Sequence, residues 1–235
     1  MNPDTGLPDA ISSLPRNRLD VALLDPEMPT AQVAERALEL AVEGVAGVRV
    51  HPAAVASVVA LLEQMREVSP DGRAPRIGTV AGFPAGRSHV LVKAAEARLA
   101  ADSGAQDIAV VVDPSLIATG DASGVLMEVA ALREAVSAPV QLTAVVETGL
   151  HASGLIDAPT LSSIIQATST AGVEAVATAS GFHVLGDGGA REVELVAGAV
   201  RAGTGVIAVV REAENPATVQ DLLGAGAHVV QVNHR

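Results

Sequence analysis

The sequence predicts a parallel (β/α)8 barrel, the TIM barrel, and three observations carry that expectation. Eight short apolar, β-branched runs recur about every 30 residues, the length of one βα unit. Amphipathic helical stretches alternate with them. Four of the runs follow at once on a glycine that closes the preceding helical pattern.

The runs are LDVALLD (19–25), EGVAGVRVH (43–51), RIGTVAGF (76–83), SGAQDIAVVVD (103–113), PVQLTAVVE (139–147), AGVEAVATAS (171–180), TGVIAVVRE (204–212) and AGAHVVQVNH (225–234). Their near-continuous apolar character suits parallel strands covered on both faces. In the second, fourth, sixth and eighth, glycine adopts the left-handed cap conformation cheaply before the strand begins. Helical patterns fill 30–43, 52–68, 88–103, 123–136, 158–171, 189–202 and 215–225. In SHVLVKAAEARLAADS (88–103) apolar and Ala positions recur at three- and four-residue steps, which leaves Lys93, Glu96 and Arg98 to face water. An open dinucleotide-binding sheet would want a Gly-rich turn after its first strand, and LLDPEMPT stands there instead.

The first 17 residues read as a Pro-rich N-terminal arm and residues 18–235 as one barrel domain. The sequence stops directly after the eighth strand, so the expected barrel lacks the eighth, C-terminal helix. Either the arm or another subunit is then expected to cover the seam between strands 8 and 1.

Composition narrows the function. Hydrophobic residues make up 49% and charged residues 18%, with no polar tract that reads as a linker. The only aromatics are Phe83 and Phe182, so stacking platforms for bases or sugars are scarce. A net charge of −12 repels nucleic acid and anionic membranes as main partners. The absence of Cys excludes disulfides, thiolate catalysis and zinc–thiolate sites. The N-terminal residues show no signal pattern and no stretch of 18 uncharged apolar residues exists, which points to a cytoplasmic protein. Of 15 basic residues 14 are Arg, and Lys93 is the single lysine.

Sites of such barrels form at the carboxyl ends of the strands. The residues placed there by the pattern are Asp20 and Asp25, His51, Asp113, Glu147 with Thr148, Ser180 with His183, Arg211 with Glu212, and Asn233 with His234. Each of these could equally be a solvated strand end. TVAGFPAGRSH (79–89) forms a tight Gly- and Pro-bound loop that is either a floor for substrate or a simple βα turn. GFHVLGDGGAREVE (181–194) sets glycines before a helix, a way of offering N–H groups to an anion, although Asp187 weakens that case. His51, Glu147, His183 and His234 lack the spacing of metal ligands, so no metal and no cofactor are expected.

The order of these motifs resembles the deoxyribose-phosphate aldolase family. The likeness runs from LDVALLDPEMPT (19–30) to LLGAGAHVV (222–230) and is densest in TVAGFPAGRSHVLVKAAEA (79–97), GAQDIAVVVDPSLIATGD (104–121), LTAVVETG (142–149) and AVATASGFH (175–183). It implies a class I aldolase, in which lysines on strands 5 and 6 supply the imine-forming amine and the cation that lowers its pKa. Those positions hold Thr143 and Ala177 here. The strand-4 aspartate that the family pattern implies falls at Ala109. VIAVVREAEN (206–215) lacks the lysine and Gly-Gly turn of strand 7, and VQVNHR replaces the phosphate turn after strand 8. Arginine stays protonated and cannot form an imine. Lys93, read as a solvated helix residue, lies away from the barrel mouth.

Two expectations follow. One is an aldolase-like barrel without Schiff-base catalysis, acting as a binding, regulatory or scaffold subunit for a small anionic or sugar ligand, as a homo-oligomer or paired with an active paralogue. The other is a lysine-independent lyase or related enzyme on a small phosphorylated sugar or carbonyl compound. There Glu147 and His183 act as base and acid, Asp113 orients, and Arg211 holds an anionic group.

Overall fold

A computed structural model describes residues 15–65, 74–211 and 216–234. Its strands are β1 (Leu19–Leu23), β2 (Gly47–Val50), β3 (Arg76–Ala81), β4 (Asp107–Val111), β5 (Gln141–Val145), β6 (Ala175–Ala177), β7 (Gly205–Val210) and β8 (Val229–His234). All pair in parallel in sequence order, and β8 returns to β1 through Leu19 opposite Val230 to Leu23 opposite His234, closing the barrel. Between them run α1 (Thr30–Val42), α2 (Val55–Met65), α3 (Val90–Asp102), a short α4 (Pro114–Ala118), α5 (Ala122–Ala135), a one-turn α6 (Gly149–Ala152), α7 (Ala158–Thr170), α8 (Ala190–Ala199) and α9 (Pro216–Gly224). The eight strands and the main helices stand where the pattern places them, while α4 and α6 are additions inside the loops after β4 and β5. No helix among the described residues is long and apolar enough to cross a membrane.

The alternation of each strand divides the apolar residues into two cores. Outward side chains such as Val21, Val48, Ile108, Leu142, Val176 and Val206 meet the helices in one large cluster. Inward ones, among them Ala22, Leu24, Val80, Ala109, Val111, Val145, Ala177, Ala179, Ile207 and Val209, form a second cluster that fills the barrel. Ala109 faces Thr143 across the β4–β5 ladder, and Ala177 lies between Val145 and Ile207.

Below this apolar plug the interior is polar. Arg49, 3% exposed, sends Nη2 to Asp107 Oδ2 at 2.6 Å, Nε to Gln231 Oε1 at 2.8 Å and Nη1 to the Thr79 carbonyl at 2.8 Å. Thr143 Oγ1 donates to the other Asp107 oxygen at 2.8 Å. A charge buried this deeply is tolerated because its hydrogen-bonding capacity is largely met.

Asp20 was expected at the carboxyl end of the first strand, and the structure corrects this. It is the second residue of β1, opposite Gly47 and Gln231, so it lies at the amino end of the barrel. There it accepts from Arg76 Nη2 at 2.8 Å. Burial nonetheless pushes its carboxyl up, against the lowering influence of Arg76 and Arg49.

Lys93 is the second correction. It is not solvated but fully buried, and its ammonium donates to Glu128 Oε1 of α5 at 2.5 Å and to the Val111 carbonyl at the end of β4 at 2.8 Å. Glu128 Oε2 accepts from the Asp113 N–H at 3.2 Å, so the pair ties α3, α5 and the exit of β4 together. The buried stripe of α3 is Lys93, Ala97 and Ala100; Arg98 is exposed as expected, and Leu91, Val92 and Leu99 are turned to water as well. Glu96, also expected in water, is half-buried and accepts from the Gly82 N–H at 2.8 Å.

Of the expected arm, residues 1–14 lie outside the described residues. Arg18, just before β1, donates to the carbonyls of Ala227 and His228 and so fastens the start of the barrel to the turn that enters β8. Glu212 and Arg235 also lie outside the described residues.

Candidate functional site at the barrel mouth

At the carboxyl ends of the strands three buried polar atoms have no hydrogen-bond partner among the described residues: Glu147 Oε2, Asn233 Nδ2 and His51 Nε2. They come from the ends of β5, β8 and β2, which the barrel brings to one rim. The tip of β6 joins two of them. Glu147, fully buried, accepts from the Ser180 N–H through Oε1 at 3.2 Å. The next residue, Gly181, lies so close to Asn233 Nδ2 that a Cβ there would collide with it, and its φ of +80° is one glycine accepts readily. Asn233 is 9% exposed.

Both aromatic residues of the chain stand over this rim. Phe83, from the GFPAG turn, packs edge-on against Phe182 with ring centroids 5.0 Å apart and lies 6.3 Å from the His51 ring, again edge-on. Phe83 also rests on the apolar plug inside the barrel. The turn that presents it is held from below. Gly82, at φ +65°, leaves no room for a Cβ, which would lie 2.9 Å from Lys93 Cδ. The Gly86 N–H closes the turn on the Gly82 carbonyl at 2.8 Å.

Burial raises the pKa of Glu147, outweighing the hydrogen bonds from Ser180 and the influence of His183, and Asp187 pushes in the same upward direction as burial. The group therefore favours its neutral, proton-donating form relative to a free glutamate. His183 is half-buried beside it and accepts from the Leu185 N–H through Nδ1 at 3.3 Å.

The expected site residues separate on this geometry. His51, Glu147, Ser180 and His183 gather at the rim, with Asn233, Phe83 and Phe182 alongside them. Asp20 is at the opposite end of the barrel. Asp113 caps α4, accepting from Ser115 N at 2.8 Å and Oγ at 2.7 Å and from Arg87 Nη1 at 2.8 Å. Slight burial would raise its pKa, but these bonds outweigh it and hold the carboxylate low. Thr148 is buried with Oγ1 on the Asp187 carbonyl at 3.3 Å, so it anchors the loop after β6. Arg211 is drawn into that same loop: its N–H and Nε meet Asp187 at 3.1 and 3.2 Å, and Nη2 donates to the His183 carbonyl.

The glycine-rich segment before α8 does not present an open anion cradle. The Gly189 N–H is taken by Glu192 Oε2 at 2.8 Å, and Glu192 Oε1 meets His151 Nδ1 at 2.9 Å. A carboxylate of the chain already occupies the place an anion would take. Among the described residues no three His, Asp or Glu side chains are grouped so as to hold a metal ion.

Asn233 stands at the rim as the strand-tip pattern places it, whereas the buried Arg49–Asp107–Thr143 cluster is outside that pattern. Arg49 had a readable signal, since a charged residue at an inward position of the apolar strand GVRV must find buried partners.

Comparison with known proteins places these observations in a family. The chain is 36% identical over 191 residues to the deoxyribose-phosphate aldolase of Corynebacterium glutamicum, covering 80% of this chain and 78% of the relative. It is 38% identical over 188 residues to the enzyme of the same name from Mycolicibacterium paratuberculosis, covering 80% and 79%. Among solved structures, an aldolase called QR15 superposes with a TM-score of 0.77 at 22% identity over 92% of this chain and 90% of that one. A tetrameric deoxyribose phosphate aldolase from Aeropyrum pernix gives 0.72 at 23% identity, covering 92% and 85%. No family model matches the sequence.

Proposed function

Because the chain belongs to the deoxyribose-phosphate aldolase family, we propose that it keeps the barrel mouth of an aldolase as a ligand site while having given up imine chemistry. One observation carries this reading: the single lysine of the sequence is sealed between α3, α5 and the end of β4, paired with Glu128 and 0% exposed. An imine needs a neutral amine that can reach a carbonyl carbon, and a fully buried ammonium held by a carboxylate offers neither. The positions that the family pattern assigns to lysine point elsewhere. Thr143 serves Asp107 in the polar base of the barrel, and Ala177 is part of the apolar plug.

The role that fits is a non-catalytic binding or regulatory subunit. Exposed Leu91, Val92 and Leu99 on α3 and Met127 on α5 support association with a second subunit, either another copy or an active paralogue. A tetrameric relative in fold is consistent with that. The test is turnover: purified protein incubated with deoxyribose 5-phosphate is expected to leave it unchanged by NMR over hours, and enzyme-concentration-dependent consumption would overturn the reading.

A second reading, acid–base catalysis without lysine, is favoured by Glu147, whose raised pKa and Oε2 without a partner among the described residues suit a general acid. It requires a bell-shaped pH profile of some carbonyl reaction that Glu147→Gln abolishes. Asp113 and Arg211 are committed to a helix cap and to Asp187, so this chemistry would fall to Glu147 and His183.

A further inference from the structure

Apart from the barrel mouth, a cavity of about 770 Å³ opens between the turn after α4, the segment joining α6 to α7, and the start of α8. Small-molecule sites occupy roughly 300–1,000 Å³, so it has room for one. None of His51, Phe83, Glu147 or Asn233 lines it. Leu155 and Ile156 give the cavity an apolar side, and His151, Asp157 and Arg191 supply its ionisable groups.

His151 is nine-tenths buried in its pair with Glu192, each side chain 8% exposed. Because the Glu192 carboxylate accepts through Oε1 at 2.9 Å, His151 Nδ1 carries the ring hydrogen and Nε2 holds a lone pair. That Nε2 has no partner among the described residues and is not one of the atoms sealed from solvent, so its lone pair opens on the cavity. Arg191, the second residue of α8, is exposed and makes no ion pair among the described residues. A cation in the first turn opposes the helix dipole, so α8 gains nothing from it. Asp157 caps α7, accepting from the Thr160 N–H through Oδ1 at 2.9 Å, and hydrogen bonds from Thr160 hold its carboxyl below the usual range. It likewise makes no ion pair among the described residues.

These groups suit a ligand that carries both charges. A simple anion drawn to Arg191 would meet the Asp157 carboxylate, and a simple cation drawn to Asp157 would meet the Arg191 guanidinium. We infer that the cavity binds a small free α-amino acid, its carboxylate on Arg191, its ammonium donating to Asp157 and His151 Nε2, and its side chain against Leu155 and Ile156. The guanidinium fork matches a carboxylate, and an ammonium has three hydrogens to share between a carboxylate and an imidazole lone pair. This site shares no lining residue with the rim cluster and does not depend on what the barrel mouth binds.

Calorimetric titration of the full chain with leucine and alanine tests this, beside three matched probes: 4-methylpentanoate lacks the ammonium, 3-methylbutylamine lacks the carboxylate, and 2-hydroxy-4-methylpentanoate carries a hydroxyl in place of the ammonium. Leucine is expected to bind at least about tenfold more tightly than each of the three. Arg191→Gln, at an exposed position, is expected to weaken leucine about tenfold or more. Asp157→Asn is expected to do the same, because asparagine keeps the cap on α7 and removes only the charge. In methyl NMR spectra leucine is expected to shift Leu155 and Ile156 and to leave Val145 and Val209 inside the barrel unmoved. The inference is overturned if neither amino acid binds, if any of the three probes binds as tightly as leucine, if both variants bind leucine as the wild type does, or if the shifts map to the barrel interior. The wild-type comparison of probes stands by itself should a variant fail to fold.

Discussion

Replacing Lys93 with Met keeps most of the aliphatic stem and removes only the ammonium. Glu128 Oε1 then loses a partner at 2.5 Å and the Val111 carbonyl one at 2.8 Å, in a place where Lys93 is 0% and the Glu128 side chain 10% exposed. Breaking one half of a buried pair costs about 3–5 kcal/mol, chiefly because the other charge is left uncompensated. The slight access of Glu128 to water places the expectation near the lower end, about 3 kcal/mol. In a domain of this size each kcal/mol moves Tm by about 2–4 °C, so Tm should fall by about 6–12 °C. The double variant Lys93→Met with Glu128→Leu removes both charges and should recover about half of that loss or more. The Asp113 N–H that Glu128 accepted is then left over, which is why recovery is incomplete. Urea and thermal unfolding followed by circular dichroism complete the cycle. A single variant that loses less than about 1 kcal/mol, or a double variant no more stable than the sum of the singles, would refute the buried-pair account.

Three further outcomes follow from the same geometry. Gly82→Ala forces a side chain into φ +65° and sets its Cβ 2.9 Å from Lys93 Cδ, so unfolding should become easier by about 1–2 kcal/mol or more; an unchanged urea midpoint would show that the turn is not held as described. Thr143→Val removes the hydroxyl that donates to Asp107 and should cost about 1–3 kcal/mol, measured the same way, with a neutral result contradicting the interior network. Glu147 has a folded-state pKa raised above 4.5, so its contribution to stability is complete below that pH and is lost as pH rises through the folded value. Glu147→Gln should therefore gain on the wild type as pH rises from 4.5 through the folded value, and a stability difference that does not change with pH above 4.5 would contradict the assignment.

Much of the barrel was legible because local rules and the global fold agree. Glycines such as Gly44, Gly104, Gly172 and Gly226 adopt positive φ between a helix and its strand, as the punctuation implied. The orientation of α3 follows the spacing of its residues and not their charge. Lys93 stands four and seven residues before Ala97 and Ala100, on one face of the helix, and Leu91 and Leu99 lie on another. The spacing alone could have placed the lysine inside. At the rim, sequence located the strand ends but not the direction of their side chains. Asp113, Thr148 and Arg211 each found a local partner in a cap or loop, a competition among hydrogen bonds that no residue pattern reveals. Asp20 was displaced for a simpler reason: β1 begins at Leu19, so an aspartate at its second position lies at the amino end whatever its chemistry.

The most direct test of the central claim is intact-mass spectrometry after incubation with deoxyribose 5-phosphate and sodium borohydride, followed by peptide mapping across Lys93. With the only lysine buried against Glu128, the protein is expected to keep its unmodified mass under native conditions. A reduced sugar adduct on the Lys93 peptide would contradict it, because that ammonium would then have to leave Glu128 and Val111 and reach the barrel mouth as a free amine.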